Sequence, residues 1–130
     1  MRERLRNERG ASAVEFAFIV PLLLSLVLGI AEFGHAFQVD GNLSAAAREG
    51  VRVMALQNDQ VAAKAAVRAA TSTLDPAVTD AQMDFEPDSC PQAGGTQLVT
   101  LTVTYPKPYL TGFFGSQVTL TGKAVMRCNG

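Results

Sequence analysis

From Ala11 to Ala31 almost every position is apolar, and Glu15 carries the only charge in the stretch. As an α-helix rising about 1.5 Å per residue, it covers roughly the 30 Å hydrocarbon core of a bilayer. Past Ala31 the spacing changes. Ala36, Val39, Leu43, Ala46, Gly50 and Val53 recur at three- and four-residue steps, with Gln38, Asp40, Asn42, Arg48 and Arg52 off that stripe, the period of an amphipathic helix. One long helix is predicted from about Ser12 to Gln57, weakened at Gly34, Gly41 and Gly50, with the first or second of these as a bend point. Asn58 and Asp59 interrupt it and cap a second, alanine-rich helix over 60–71, which Asp75 and Pro76 end.

The period then becomes two. Ala81, Met83 and Phe85 alternate with Asp80, Gln82, Asp84 and Glu86, and Val99, Leu101, Val103 and Tyr105 alternate with threonines. Val118, Leu120, Ala124, Met126 and Cys128 form a third one-sided series. These predict half-buried strands over about 78–86, 97–105 and 117–128, joined by two long loops, Glu86–Thr96 and Pro106–Ser116. Consecutive strands without intervening helices favour antiparallel pairing, and the helices are the available cover for the sheet. The predicted fold is α+β: a membrane-spanning N-terminal helix continuing into a small domain with one further helix and a three-stranded antiparallel sheet. By segment, 1–10 is a leader, 11–31 the span and 32–130 the exported domain, with helix 32–57 as its first element.

Charge sets the expected orientation. Arg2, Arg4, Arg6 and Arg9 precede the span, and no Lys or Arg follows it until Arg48, so the leader is expected in the cytoplasm and Glu32 onward outside. A cleaved secretory signal peptide is the competing reading. Against it stand an apolar run longer than a typical signal core, the lack of a clean A-x-A site and the continuation into helix-favouring residues. The exported part holds seven basic and nine acidic residues with no basic cluster, which argues against nucleic acid as a partner. Cys90 and Cys128 are the only cysteines, and a pair outside the cytoplasm reads as a disulfide, with two free thiols as the alternative.

Catalytic chemistry is poorly supplied. The single histidine, His35, lies just beyond the span, and neither cysteine has a metal-spaced companion. Asp80, Asp84, Glu86 and Asp88 read as a solvated face in preference to a cation site. No phosphate loop, nucleophile elbow or dinucleotide fingerprint is present. No enzyme, metal, cofactor or small-molecule substrate is expected.

The unusual placements lie in the span. An acid at mid-bilayer costs about 2.5–3.5 kcal/mol, less near the interface. Glu15 therefore either reaches the headgroups or pairs with a cation supplied by processing or by a neighbouring subunit. Pro21 removes a backbone donor and predicts a bend. Ala13, Ala17, Pro21, Ser25 and Gly29 recur every fourth residue, small apart from the proline, a stripe that lets a crossing helix approach. In the second long loop Tyr109, Leu110, Phe113 and Phe114 either close the open end of the core or form a partner- or membrane-touching patch.

The segment RGASAVEFAFIVPLLLSLVLGIAEFGHAF, continued by LSAAAREGVRVMAL, resembles the TadE-like family of pilin-related proteins of the tight-adherence (Flp) pilus system. Looser similarity runs through LVTLTVTYP and LTGKAVMRC, so that nearly the whole chain is covered. The resemblance implies cleavage by a prepilin peptidase between Gly10 and Ala11, in a site that includes Glu15 and Phe16, with Glu15 becoming the fifth residue of the mature chain. It further implies an inner-membrane minor pilin or pseudopilin whose partners are that peptidase, other pilin-like subunits and the Tad assembly machinery, and which serves adhesion. A TadF-type protein and a type II secretion pseudopilin are similar in architecture. The contrasting reading is a permanently anchored binding domain whose ligand engages the Pro106–Ser116 loop.

Overall fold

The computed structural model describes residues 2–91 and 96–129, with side chains from Glu8 onward. Met1 of the leader and residues 92–95 of the Glu86–Thr96 loop lie outside the described residues, as do the side chains of Arg2, Arg4 and Arg6. The chain divides into two compact units, Met1–Gly34 and His35–Gly130. Helix α1 spans Arg2–Gln57, including Pro21, and so starts ahead of the Ser12 expected from the apolar pattern. In order there follow α2 (Gln60–Ala70), a 3-10 turn (Asp80–Gln82), β1 (Met83–Glu86), β2 (Leu98–Pro108) and β3 (Gln117–Arg127). The strands form one antiparallel sheet in the order β1-β2-β3.

In the first unit, apolar side chains point outward all round the helix. Phe16, Phe18, Leu22, Leu26, Val27 and Ile30 are each at least 60% exposed. A water-soluble helix keeps such side chains to one buried stripe, so this surface requires lipid or other helices around it. Among the described residues, α1 is the helix long and apolar enough to cross a membrane.

In the second unit the amphipathic stripe of α1 packs as its spacing demands. Val39, Leu43, Ala46, Ala47, Gly50, Val51 and Met54 are buried, while Val53 is half-buried against the core. They pack with Ala63 and Val67 of α2 and with the inward residues Met83, Phe85, Val99, Leu101, Val103, Tyr105 and Ala124 of the sheet. Two glycines set the distance between layers. A Cβ on Gly50 would run into the side chains of Val67 and Leu101, and one on Gly122 would lie 2.6 Å from the carbonyl group of Leu43. The helix can sit this close only where β3 and α1 offer no side chain.

The helix junction is capped from both sides. Asn58 adopts positive φ (48°) and its N–H donates to the carbonyl of Met54 at 2.9 Å, a left-handed end suited to asparagine. Asp59 caps α2, its Oδ1 accepting from the N–H groups of Val61 (2.8 Å) and Ala62 (3.2 Å). At the other end Thr71 is buried with its hydroxyl donating to the carbonyl of Val67 at 2.8 Å.

Two strand boundaries differ from expectation for one reason. The first strand begins at Met83, not near residue 78, and the second runs through Pro108, shortening the second loop to 109–116. Tyr109 donates its N–H toward β3, to the carbonyl of Ser116, so by alternation the nitrogens of residues 106 and 108 face the β1 side. Extending the β1–β2 register, in which Met83 pairs with Val103, would set Asp80 opposite Pro106 and Val78 opposite Pro108. Neither proline has an N–H to give, so the ladder stops. Residues 80–82 instead turn, with the N–H of Thr79 donating to Gln82 Oε1 at 3.0 Å and Asp80 paired with Arg68 of α2.

Candidate processing site and assembly helix

Gly10 and Ala11 lie within α1, and both are exposed, as are Glu15 and Phe16. Nothing stands within 4 Å of the position a Cβ on Gly10 would take. Ala11 and Glu15 are four residues apart, which on a helix puts them one above the other on the same face. Glu15 is the sole charge from Ala11 to Ala31, and it stands in the first turns of the apolar segment.

The small-residue stripe is exposed at Ala13, Ala17, Pro21 and Ser25 and half-exposed at Gly29. The Ser25 hydroxyl donates to the carbonyl of Pro21 at 2.8 Å. That bond turns the hydroxyl back along its own helix, so the stripe presents a low surface with its one hydroxyl already satisfied, the condition under which serine is tolerated in lipid.

Cys90 and Cys128 form a disulfide with a Cα–Cα distance of 5.5 Å, closing a sequence separation of 38. Four hydrogen bonds converge on this corner. Cys90 N–H donates to Asn58 Oδ1 (2.6 Å), Cys128 N–H to the Gln97 carbonyl (2.9 Å) and Asn129 N–H to the Ala55 carbonyl (3.0 Å). The Asn129 side-chain amide donates to the Pro91 carbonyl at 2.8 Å. The disulfide ties the segment after β1 to the end of β3, and the hydrogen bonds to Asn58 and Ala55 hold both against the last turn of the helix. Asn58 serves both as helix terminator and as acceptor for this corner. Its sequence signal, an asparagine between two helical patterns, shows the first role and hides the second.

The loop aromatics do not close the core. Phe113 is 68% exposed, Leu110 58% and Phe114 41%, and Tyr109 is half-buried. The rings of Phe113 and Phe114 meet edge to face at 5.3 Å between centroids, and Tyr109 stands 6.4 Å from Phe114. Lys107, inward-facing and buried, donates from Nζ to the Pro108 carbonyl at 3.0 Å and lies 5.9 Å from the centre of the Tyr109 ring. Beside it is a cavity of about 340 Å³ lined by His35, Val39, Asp75, Lys107, Tyr109 and Leu110 among others. Within it, the Tyr105 hydroxyl donates to the Pro76 carbonyl at 2.7 Å, and burial, then the Asp75 charge, raise its pKa above the usual 10.0.

Asp84 and Glu86 are exposed on β1 and Asp88 follows them, while Asp80 belongs to the preceding turn and pairs with Arg68. Among the described residues no cluster of His, Cys, Asp or Glu is placed to hold a metal ion.

Among the described residues one helix is long and apolar enough to cross a membrane, and a small α+β unit follows it, the composition of a membrane-anchored protein. The family model described as TadE-like protein matches residues 10–52, so the resemblance read from the sequence holds over the apolar helix and most of the amphipathic stripe. The match ends at Arg52, short of α2 and the sheet. No curated protein and no solved structure matches the chain.

Proposed function

We propose that this chain is a pilin-like subunit of a Tad-type pilus system, made as a precursor, cut after Gly10 by a prepilin peptidase and joined to other pilin-like subunits through α1. The observation that carries the reading is the outward-apolar helix, with its lone acid one turn past Ala11, inside the segment matched to TadE-like proteins. Its role is structural, in assembling the fibre or working at its base, with adhesion as the outcome. The protein sits in the bacterial inner membrane with residues 1–10 in the cytoplasm and the second unit outside.

The chemistry of the cut supports the reading. Before cleavage the arginines of the leader hold the N-terminus at the anionic cytoplasmic face. Hydrolysis of the Gly10–Ala11 bond removes them and leaves an ammonium on Ala11. On a helix that charge lies one turn before Glu15, where opposite charges meet, and pairing offsets part of the cost of holding both groups in lipid or in a bundle of helices. A peptidase needs the bond in extended form, and Gly10 makes unwinding there easier by about 1 kcal/mol than alanine would. The exposed small-residue stripe, Ala13 to Gly29, supplies a face for close helix packing.

The test is N-terminal sequencing of the membrane-extracted protein after co-expression with a prepilin peptidase of a Tad system. Ala11 at the terminus is the expected result. A terminus that keeps the leader arginines overturns the proposal in favour of a permanently anchored binding domain.

A further inference from the structure

We propose that the loop from Tyr109 to Ser116 is a second membrane contact, seated in the headgroup layer beside the point where α1 leaves the bilayer. Tyr109 and Leu110 line the same cavity as His35, the residue at which the second unit begins. His35 is four positions past Ala31, about 6 Å along a helix. The loop therefore lies at the end of the second unit where the chain enters it from the apolar segment. This step rests on Ala11–Ala31 lying in a bilayer and on nothing about cleavage or pilus assembly.

The loop's composition fits that layer. Phe113, Leu110 and Phe114 stand out from a unit whose core is complete without them. Residues 109–116 contain no charged side chain, so seating them in lipid headgroups desolvates no ion. Aromatic rings with a polar edge concentrate at this depth of a membrane, and Tyr109 lies behind the two phenylalanines. From residue 89 to 130 the chain has Lys107, Lys123 and Arg127 and no Asp or Glu. The carboxylate beside the loop is Asp75, which borders the same cavity as Tyr109 and Leu110 and shares it with Lys107, so the loop's own stretch adds no negative charge against an anionic lipid surface.

The tip is also built in advance. Gly112 and Gly115 hold positive φ (67° and 124°), Tyr109 N–H closes the turn onto the Ser116 carbonyl at 3.3 Å, and Phe113 N–H donates to Thr111 Oγ1 at 3.3 Å. A preformed turn gives up little conformational freedom on docking.

The chain contains no tryptophan, which makes single-tryptophan variants direct reporters. Full-length precursor carrying Phe113→Trp is reconstituted into vesicles of phosphatidylethanolamine and phosphatidylglycerol that contain lipids brominated near either the glycerol end or the methyl end of the acyl chain. Phe18→Trp reports insertion of the span, and Val125→Trp, on the exposed face of β3, reports the aqueous side. The expected result is a blue-shifted residue-113 emission, quenched most by the shallow bromine and shielded from aqueous iodide, with the residue-18 probe quenched deeply and the residue-125 probe open to iodide. Should the residue-113 probe emit and quench like the residue-125 probe while residue 18 reports an inserted span, the loop is not a lipid contact, and its exposed rings serve a protein partner. Phe114→Trp, read in the same way, guards against a local packing fault at residue 113. Failure of the residue-18 probe to quench in lipid removes the premise of the span itself and so overturns the proposal by a different route.

Discussion

Replacing Gly122 with alanine tests the closest approach in the second unit. The added Cβ would stand 2.6 Å from both the carbonyl carbon and oxygen of Leu43 and 2.9 Å from its Cβ, against ordinary contacts of 3.4–4 Å. Two of these three atoms are backbone, so no rotamer change relieves the clash, and β3 and α1 must separate by about an ångström. Overpacking of this kind costs about 1–3 kcal/mol, and widening the gap also forfeits part of the dispersion around Leu43 and Ala124. Alanine in place of glycine within a strand returns about 0.5–1 kcal/mol of backbone entropy. The net loss is about 1–2 kcal/mol, which for a domain of 60–100 residues lowers the melting temperature by roughly 5–15 °C. The control is Gly41→Ala in α1, where nothing lies within 4 Å of the new methyl and helix propensity predicts a gain of up to about 1 kcal/mol. Both variants of the full chain, in detergent micelles, are melted by circular dichroism, with protease resistance as a second readout. A Gly122→Ala protein that melts with or above the parent would refute the seating of α1 on β3 at this point.

Replacing both Cys90 and Cys128 with serine removes a cross-link spanning 38 residues. In the chain-entropy account this lowers stability by about 4 kcal/mol, measured by urea unfolding as a lower midpoint with a steeper slope, because the freed unfolded chain exposes more surface. Asp59→Ala strips the α2 cap of both its accepted N–H bonds and is expected to lose about 1 kcal/mol in the same assay. Because burial and Asp75 raise the pKa of Tyr105, the folded state holds its proton more tightly than the unfolded chain. That contribution is complete below pH 10.0 and declines as pH rises through the folded value. Tyr105→Phe loses about 1 kcal/mol at neutral pH with the bond to Pro76, and stability curves taken above pH 10 should show a shallower fall than in the parent.

Much of this architecture is legible in the sequence because its determinants are local. The stripe from Val39 to Gly50 and the alternation in β2 and β3 are repeated at the period of their elements, so each residue reinforces its neighbours' reading. The start of β1 is not local. Ala81 and Gln82 continue the alternation of Met83 and Phe85, and only the prolines of β2, more than twenty positions away, say where pairing must stop. The Leu110–Phe114 aromatics were ambiguous for a different reason, since two phenylalanines beside a glycine read alike as plug or as surface until neighbouring elements are in place. Gly122 is similar: its inward parity along β3 was visible, but not the helix backbone lying against it. The outward-apolar helix is legible too, since its exposed face depends on no neighbour within the chain.

The linkage at Cys90 and Cys128 has a mechanical consequence. β3 is an edge strand, bonded to a neighbour on one side only, and such strands peel most readily from a loose end. At its Arg127 end, however, it is riveted both to the stretch after β1 and to the closing turn of α1. Tension carried along that helix reaches this corner through hydrogen bonds at Ala55 and Asn58, and the cross-link makes peeling of the strand from its Arg127 end harder than from Gln117.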